Sequence, residues 1–307
     1  MSVDLDAIAC YYRIHALPGA PPESARFAIL RRCLPRFAEL FSRHGVRATF
    51  FVVGADLGDD AEGRAALATL ARAGHELGSH THTHPYDFIR LGAARIADEI
   101  DRAHAAIADC AGTPPVGFRA PGYEISAEAI EALQARGYHY DSSVFPSVAY
   151  YGAKAAVMAA MRVTGRESGS MLGNPRVLLA PTMPYRPARG APYRAGGNGI
   201  LELPIAVTGL ARLPVIGTSL IVAPAWLRAR MVAAALRAPL FNLELHGIDL
   251  CDAGADDVPA ALIARQPDLR RPLAHKLRAL EATLVAAREA GFQFAPLRDV
   301  SLSSSRS

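Results

Sequence analysis

The stretch RATFFVVGADLGDDAEGRAALATLARAGHELGSH, residues 47–80, decides the fold class. It opens with RATFFVVG, a β-rich run that ends at Gly54, and continues into an alanine-rich helical segment to about Arg72. HELGSH then forms another short run with strand character. A strand, a helix and a further strand in such close succession predict a βαβ unit, in which the two strands are parallel and the helix covers the sheet.

The same alternation continues on both sides of this stretch. Upstream, SVDLDAIA is strand-like, and a helical run over about 30–41 follows it. Downstream come a helix over about 91–111, the strand VGFRAP, the helix SAEAIEALQARG, the strand YHYDSS, and the strands ILELPIAV, LFNLELHGIDL and FQFAPL, with helices near 224–237 and 272–290. Repeated strand–helix pairs predict an α/β fold, which we expect to be a distorted TIM-like (β/α) barrel of seven strands.

The length of 307 residues suits one such barrel. We expect a single domain over residues 1–300, with an insertion at about 147–198 that lies over the active-site face. That insertion is rich in Gly, Pro, Arg and Ser and interrupts the alternation. The serine-rich end, residues 301–307, is expected to be a disordered tail.

Charge and cysteine content exclude several classes of protein. The net charge is +4, but Lys154 and Lys276 are the only lysines and no basic run occurs, so nucleic acid is not an expected partner. The four cysteines form no CxxC pair and predict no zinc finger. The sequence contains neither a secretory signal nor an apolar run of about 18 residues. We therefore expect a cytoplasmic location, with the inner face of the plasma membrane as the alternative.

Polar side chains fall at the predicted ends of five strands, where an α/β barrel collects its reactive groups. Each has an ordinary alternative, since a lone HxxxH spacing is a weak metal signal in a chain with ten histidines. If these residues did not share a site, each of them would need its own ordinary structural role at the same time. Their joint placement therefore favours a common site. The set comprises Asp4, Asp6, His80, His84, Arg119, Asp141 and His246.

The chemistry of this set is that of a metal-assisted hydrolase. One aspartate and two histidines form a three-ligand site with an open position, as in catalytic zinc and related divalent centres. Such a metal polarises a carbonyl and lowers the pKa of water, while a second carboxylate takes a proton and a histidine donates one. A serine nucleophile is not indicated, because the chain has no GxSxG motif.

Five motifs, in this order, carry a resemblance to a known family: SVDLD, GHELGSHTHTH, FRAPGYEIS, GYHYDSSVFP and LELHG. The chain resembles the polysaccharide deacetylases, carbohydrate esterase family 4, whose NodB-homology domain would occupy residues 1–300. Two positions depart from the common pattern. Leu5 separates the two aspartates, as in the subset with a VDxD first motif, and Phe145 stands where the family usually has Trp.

The resemblance implies that Asp6, His80 and His84 hold one divalent metal ion. Zinc is the first expectation, and cobalt, nickel, manganese and iron also suit imidazole and carboxylate ligands. His82 would share the face of the other two histidines in a strand-like backbone. Only the family pattern therefore favours the outer pair over His82.

The resemblance also implies catalytic roles. Asp4 would be the general base, held ionised by Arg119, and His246 the general acid, with Asp141 stabilising its protonated form. A backbone N–H near Gly122 or Tyr123 would help to bind the oxyanion.

The implied reaction removes an N-acyl group, acetyl or formyl, from an aminosugar. For a cytoplasmic enzyme we expect a small-molecule or lipid-linked substrate, such as a lipid-linked or nucleotide-linked cell-envelope precursor. The arginine-rich insertion could recognise a phosphate, and the apolar run 210–226 suggests peripheral membrane contact. Two alternatives stay open: an amidohydrolase that opens a cyclic imide or allantoin-like ring, and a non-catalytic carbohydrate-binding relative.

Overall fold

The computed structural model describes residues 1–303, and a curled sheet of seven parallel strands forms its centre. Residues 1–303 contain these seven strands and two more outside the sheet, numbered in chain order: β1 (Ser2–Asp4), β2 (Thr49–Val52), β3 (Glu76–Ser79), β4 (Gly117–Phe118), β5 (Tyr140–Asp141), β6 (Pro187–Ala188), β7 (Ala191–Ala195), β8 (Leu201–Glu202) and β9 (Glu244–His246). The central sheet has the order β8-β5-β4-β3-β2-β1-β9, and β6 and β7 form a separate antiparallel pair.

Helices connect successive strands. They are α1 (Ile8–Ile14), α2 (Glu23–Arg26), α3 (Leu34–Arg43), α4 (Asp56–Asp59), α5 (Ala61–Arg72), α6 (Ala93–Ala111), α7 (Ala127–Ala135), α8 (Val148–Val163), α9 (Gly217–Val222), α10 (Ala225–Ala235), α11 (Ala260–Ile263), α12 (Leu273–Glu289) and α13 (Leu297–Ser303). A π-helical turn, Ile29–Cys33, precedes α3 directly. No helix within residues 1–303 has both the length and the hydropathy that a membrane span requires.

The βαβ unit predicted from residues 47–80 is confirmed. Every residue of β2 and of β3 is buried, as expected for parallel strands that are covered on both faces. Between them, α5 begins after Asp60, whose Oδ1 accepts a hydrogen bond from the Gly63 N–H at 3.0 Å. Leu67 and Leu70 of this helix are buried against the sheet.

The barrel is incomplete, because the edge strands β8 and β9 are not paired with each other. Residues that follow β8 and precede β9 bridge the gap. The Ala206 N–H donates to the Asn242 carbonyl oxygen at 3.0 Å, and Asn242 Nδ2 donates to the Leu203 carbonyl oxygen at 2.9 Å. The prediction of a distorted, seven-stranded barrel is confirmed.

The inserted segment 147–198 is more ordered than its composition suggests. It begins with α8, whose first turn is capped by Ser147 Oγ accepting from the Tyr150 N–H at 3.3 Å, and it ends with the β6–β7 pair. The expected disordered tail is wrong for residues 301–303, which belong to α13, where Ser301 is buried. Residues 304–307 of that expectation lie outside the described residues.

Candidate active site

The carboxyl ends of the strands bring most of the predicted residues together. In the parallel register Asp4, at the end of β1, lies beside His246, at the end of β9. On the other side of β2, His80 follows β3 and Arg119 follows β4, and the last residues of those two strands are paired. The sheet register thus explains why side chains that are far apart in sequence share one site.

Asp6, His80 and His84 form the centre of the site. Asp6 Oδ1 lies 3.2 Å from His80 Nε2 and 3.3 Å from His84 Nε2. All three side chains are buried, and their donor atoms lie within 4.8 Å of one another. Asp6 Oδ1 and both ring nitrogens of His84 have no hydrogen-bond partner in residues 1–303. Converging ligand atoms that lack hydrogen-bond partners are costly to bury, and they fit a divalent cation.

The orientation of the His80 ring is fixed from behind. Its Nδ1 lies 2.7 Å from the Arg119 carbonyl oxygen, which can only accept, so Nδ1 carries the proton. Nε2 is then free to act as a ligand, in the way that metal-bound histidines are commonly oriented. Burial opposes ionisation of Asp6, but His84 and His80 outweigh it and hold the pKa of Asp6 well below its usual range. The aspartate is therefore ready to bind a cation.

The loop after β3 separates His82 from the other two histidines. The strand ends at Ser79, and Thr81 and His84 adopt positive φ values of 63° and 55°, so the backbone does not continue as a strand. His82 is not among the residues that converge on Asp6. Strand alternation alone did not distinguish His82 from His80 and His84 as a ligand. The change in backbone conformation after Ser79 does distinguish them.

Glu99, on α6, holds this loop in place and was not predicted. Its Oε2 accepts from the N–H groups of His82 at 2.9 Å and Thr83 at 2.8 Å, and its Oε1 accepts from Thr83 Oγ1 at 2.7 Å. The sequence did contain a signal, because Glu99 lies on the buried face of α6 with Ile96 and Ile100. A charged residue on the apolar face of a helix indicates a specific buried partner.

The first prediction concerns His82. We expect His82→Ala to keep about one metal ion per chain, because its ring does not contact Asp6, whereas His80→Ala should lose the metal. Metal content after dialysis, measured by inductively coupled plasma mass spectrometry, tests this. Loss of stoichiometric metal from His82→Ala would overturn the ligand assignment.

Asp4 pairs with Arg119 beside the metal centre. Arg119 Nη1 donates to Asp4 Oδ1 at 2.6 Å, and its Nε and Nη2 donate to the carbonyl oxygen and Oγ of Ser142, each at 2.8 Å. The guanidinium carbon lies 4.4 Å from the centre of the Phe51 ring. Burial raises the pKa of Asp4, and the charge of Arg119 opposes that rise. The expectation that Arg119 orients Asp4 agrees with this geometry.

Glu244 is the carboxylate that contacts His246, and the role expected for Asp141 is corrected. Glu244 Oε1 lies 2.9 Å from His246 Nδ1. Burial disfavours the charged imidazole, but Glu244 outweighs it and raises the pKa of His246 well above its usual value. Asp141 lies on β5, where Ser143 Oγ donates to its Oδ1 at 2.6 Å and Glu202 is its carboxyl neighbour. Strand alternation, which puts residues 244 and 246 on one face, was the missed signal.

Gly122 and Tyr123 lie at the same cleft, in a 3-10 turn after β4. Both have positive φ, 70° and 64°. The Tyr123 N–H donates to the Ala120 carbonyl oxygen at a long 3.4 Å, and its hydroxyl lies 3.3 Å from His246 Nε2. Tyr123 therefore contributes its side chain to the site, and the oxyanion role of these backbone N–H groups stays a prediction.

Comparison with known proteins agrees with these observations. Residues 28–140 match the family model described as polysaccharide deacetylase. Over these residues, which are less than half of the chain, the sequence is similar to the polysaccharide deacetylase family. The resemblance inferred from the five motifs is thereby confirmed.

Two curated relatives of the polysaccharide deacetylase family match part of the chain. One is a chitin deacetylase from Pestalotiopsis sp., 33% identical over 101 residues, which are 33% of this chain and 34% of that protein. The other is a chitooligosaccharide deacetylase from Bradyrhizobium sp., 34% identical over 105 residues, or 34% of this chain and 46% of that protein. The matches thus span less than half of either relative.

A solved structure supports the fold over the whole chain. It is that of a Mycobacterium smegmatis protein named for the same family, with a TM-score of 0.60 and 18% identity. The match covers 99% of this chain and 88% of that one. At this identity the similarity shows a shared polysaccharide deacetylase fold.

The site opens into a cleft of about 480 Å³. The inserted helix α8 forms one apolar wall with Ala153, Val157 and Met158, and Pro214 and Val222 line the cleft as well. The α8 part of the insertion therefore lies over the active-site face, as predicted, whereas its β6–β7 end lies beside α7. Lys154 of α8 lines the cleft and none of the inserted arginines does, so the expectation that those arginines recognise a substrate phosphate stays a prediction.

A second cluster of ligand-type residues does not fit a cation equally well. Cys33, Cys251 and Asp256 also converge within 4.8 Å. However, both carboxylate oxygens of Asp256 accept from Arg36, at 2.5 and 2.8 Å. Their negative charge is therefore already balanced by the protein.

Proposed function

We propose that this protein is a metal-dependent hydrolase that removes an N-acyl group, acetyl or formyl, from an aminosugar. The observation that carries the proposal is the convergence of Asp6, His80 and His84, in which Asp6 Oδ1 and the ring nitrogens of His84 have no hydrogen-bond partner in residues 1–303. The Asp4–Arg119 pair and His246 lie beside it. The similarity of residues 28–140 to the polysaccharide deacetylase family supports the same reaction.

The proposed roles follow from the contacts. A divalent cation, zinc first, held by Asp6, His80 and His84 would supply Lewis acidity toward the acyl carbonyl. Asp4 accepts the proton of the attacking water, since Arg119 binds one of its oxygens and the raised pKa favours proton uptake. His246 holds a proton on Nε2, next to the Tyr123 hydroxyl, and gives it to the leaving nitrogen.

The second prediction concerns the alkaline side of the pH profile. Activity needs protonated His246, so kcat/KM falls as the pH rises through the pKa of this group. Glu244→Gln removes the charge that raises that pKa, and the fall should therefore move to lower pH. Asp141→Asn is the matched control and should leave the alkaline limb in place, because Asp141 does not contact His246. A shift in the control and none in Glu244→Gln would contradict the assignment.

We further propose that the substrate is a lipid-linked or nucleotide-linked precursor of the cell envelope, processed at the inner face of the plasma membrane. The apolar walls of the cleft favour a substrate with an apolar part, and Lys154 supplies a cation for its phosphate. Val157, which lines the cleft, is 55% exposed, so the cleft is not the small closed pocket that a cyclic imide would require.

Release of acetate or formate by purified, metal-loaded protein tests this function. The panel contains N-acetylated chitooligosaccharides, nucleotide-linked N-acyl aminosugars, and polyprenyl-phosphate-linked N-acyl aminosugars. We expect release from at least one carbohydrate class and its loss in Asp4→Asn, which keeps the size of the side chain. Silence on the whole panel would contradict the proposal.

A further inference from the structure

The segment 168–243 has an unusual charge distribution. It contains eight arginines and a single acidic residue, Glu202, which is fully buried. The segment thus carries a net charge of +7 in a chain whose total is +4, so the remaining residues sum to −3. Four of these arginines lie near α9 and α10. Arg212 is in the loop before α9, Arg228 and Arg230 are on α10, and Arg237 follows α10.

Exposed apolar side chains collect in the same region. Of the nine large exposed ones in residues 1–303, seven lie on α8 or between 179 and 226. Leu210 is completely exposed and Trp226 is 63% exposed, whereas such side chains are normally buried or scattered. The concentration on one part of the chain indicates a surface that is covered when the protein works.

Some of these side chains lie at or next to the active-site cleft, since Val157 lines it and Leu213 directly precedes Pro214, which also lines it. Ser147 Oγ, at the start of α8, donates to the Arg212 carbonyl oxygen at 2.8 Å, which joins α8 to the loop that presents Leu210. Two residues further on, Pro214 lines the cleft together with α8. Arg228 Nη1 donates to the Leu220 carbonyl oxygen at 3.3 Å, which fixes the start of α10 against α9. We call the exposed side chains of Val148, Val157, Leu210, Leu213, Trp226 and Arg230 the rim.

The outward faces of α8 and α10 match the chemistry of a membrane interface. Neither helix contains an acidic residue, and the exposed positions of α10 are alanine, tryptophan and arginine. The Arg230 guanidinium lies 5.8 Å from the Trp226 ring centre. Tryptophan favours the headgroup level of a bilayer, and arginine can bury its stem while its charge meets anionic lipid.

We propose that this rim docks on the surface of an anionic lipid bilayer, so that the active-site cleft opens toward the membrane. This docking rests on the proposed deacylase function, because it selects the lipid-linked class among the substrates of that function. The α8 wall and the 214–222 segment then guide the lipid part, and the aminosugar reaches the donor cluster from the membrane side.

Binding to vesicles tests the proposal, with Trp226 as an internal probe because it is the only tryptophan in the chain. Phosphatidylcholine vesicles with phosphatidylglycerol should sediment the metal-loaded protein and shift its emission to the blue, and vesicles of phosphatidylcholine alone should do so far less. Leu210→Glu and Arg230→Glu should each weaken sedimentation about tenfold or more. Val285→Glu, on α12, and Arg194→Glu, on β7, are the matched controls and should bind like the wild type.

Three results would overturn the proposal: no binding to anionic vesicles, equal weakening by the controls, or binding to a polyanion such as heparin without a blue shift on vesicles. Deacylation of a water-soluble aminosugar is measured in parallel and should be unchanged in Leu210→Glu. Vesicle binding without any deacylation would contradict the proposed function alone, and deacylation without vesicle binding would contradict the docking alone.

Discussion

His84→Ala is expected to lose stoichiometric metal and to lower the rate of N-deacylation by about a thousandfold or more. The site has three protein ligands, and removal of one leaves the cation with two. His84 is buried and its Nε2 has no hydrogen-bond partner in residues 1–303, and His82, whose backbone N–H donates to Glu99 of α6, is not part of the converging group. Metal-assisted polarisation contributes several kcal/mol to such reactions, which corresponds to this loss of rate.

Metal content and acetate or formate release, measured on the same preparation, test this expectation. Because the His84 ring lies 4.7 Å from the ring centre of Tyr86, the variant also leaves a cavity, so its fold is checked by circular dichroism. His82→Ala is the matched control. A folded His84→Ala protein with one tightly bound metal ion and full activity would contradict the assignment.

Arg119→Met is expected to reduce the free energy of unfolding by about 3–5 kcal/mol. Arg119 is completely buried, and three of its nitrogens donate hydrogen bonds to Asp4 and Ser142. Methionine has a similar length but leaves the Asp4 carboxylate buried without its counter-charge. Urea denaturation in the absence of added metal measures the change.

The double variant Asp4→Asn/Arg119→Met makes this test specific. A neutral amide at position 4 removes the uncompensated charge, so the double variant should be more stable than Arg119→Met alone. Arg136→Met breaks a partly exposed pair with Asp101 and should cost about 1 kcal/mol or less. Additive losses in the double variant would show that the two side chains do not act as a pair.

The fold and the positions of the reactive residues could be predicted because both depend on local pattern. The strand–helix alternation fixes parallel strands, and parallel strands align their carboxyl ends. Asp4, Asp6, His80, His84 and Arg119 are therefore together in the structure as the sequence analysis expected.

The rest could not be predicted because it depends on the register between distant strands and on loop conformation. Asp141 was paired with His246 on the basis of family resemblance, whereas Glu244, two residues away on the same strand, makes the contact. The left-handed residues at 81 and 84 decide which histidines converge, and no spacing rule contains that information. Lys154 enters the cleft only because α8 folds over it.

Anomalous diffraction from a crystal of the zinc-loaded protein, recorded on both sides of the zinc edge, tests the central claim most directly. The proposed site predicts one zinc peak per chain, about 2.0–2.2 Å from Asp6 Oδ1, His80 Nε2 and His84 Nε2. Two other groups of ligand-type residues within positions 1–303, Cys33–Cys251–Asp256 and Asp4–Glu244–His246, serve as internal alternatives. A peak at either of these, or none beside Asp6, would contradict the account.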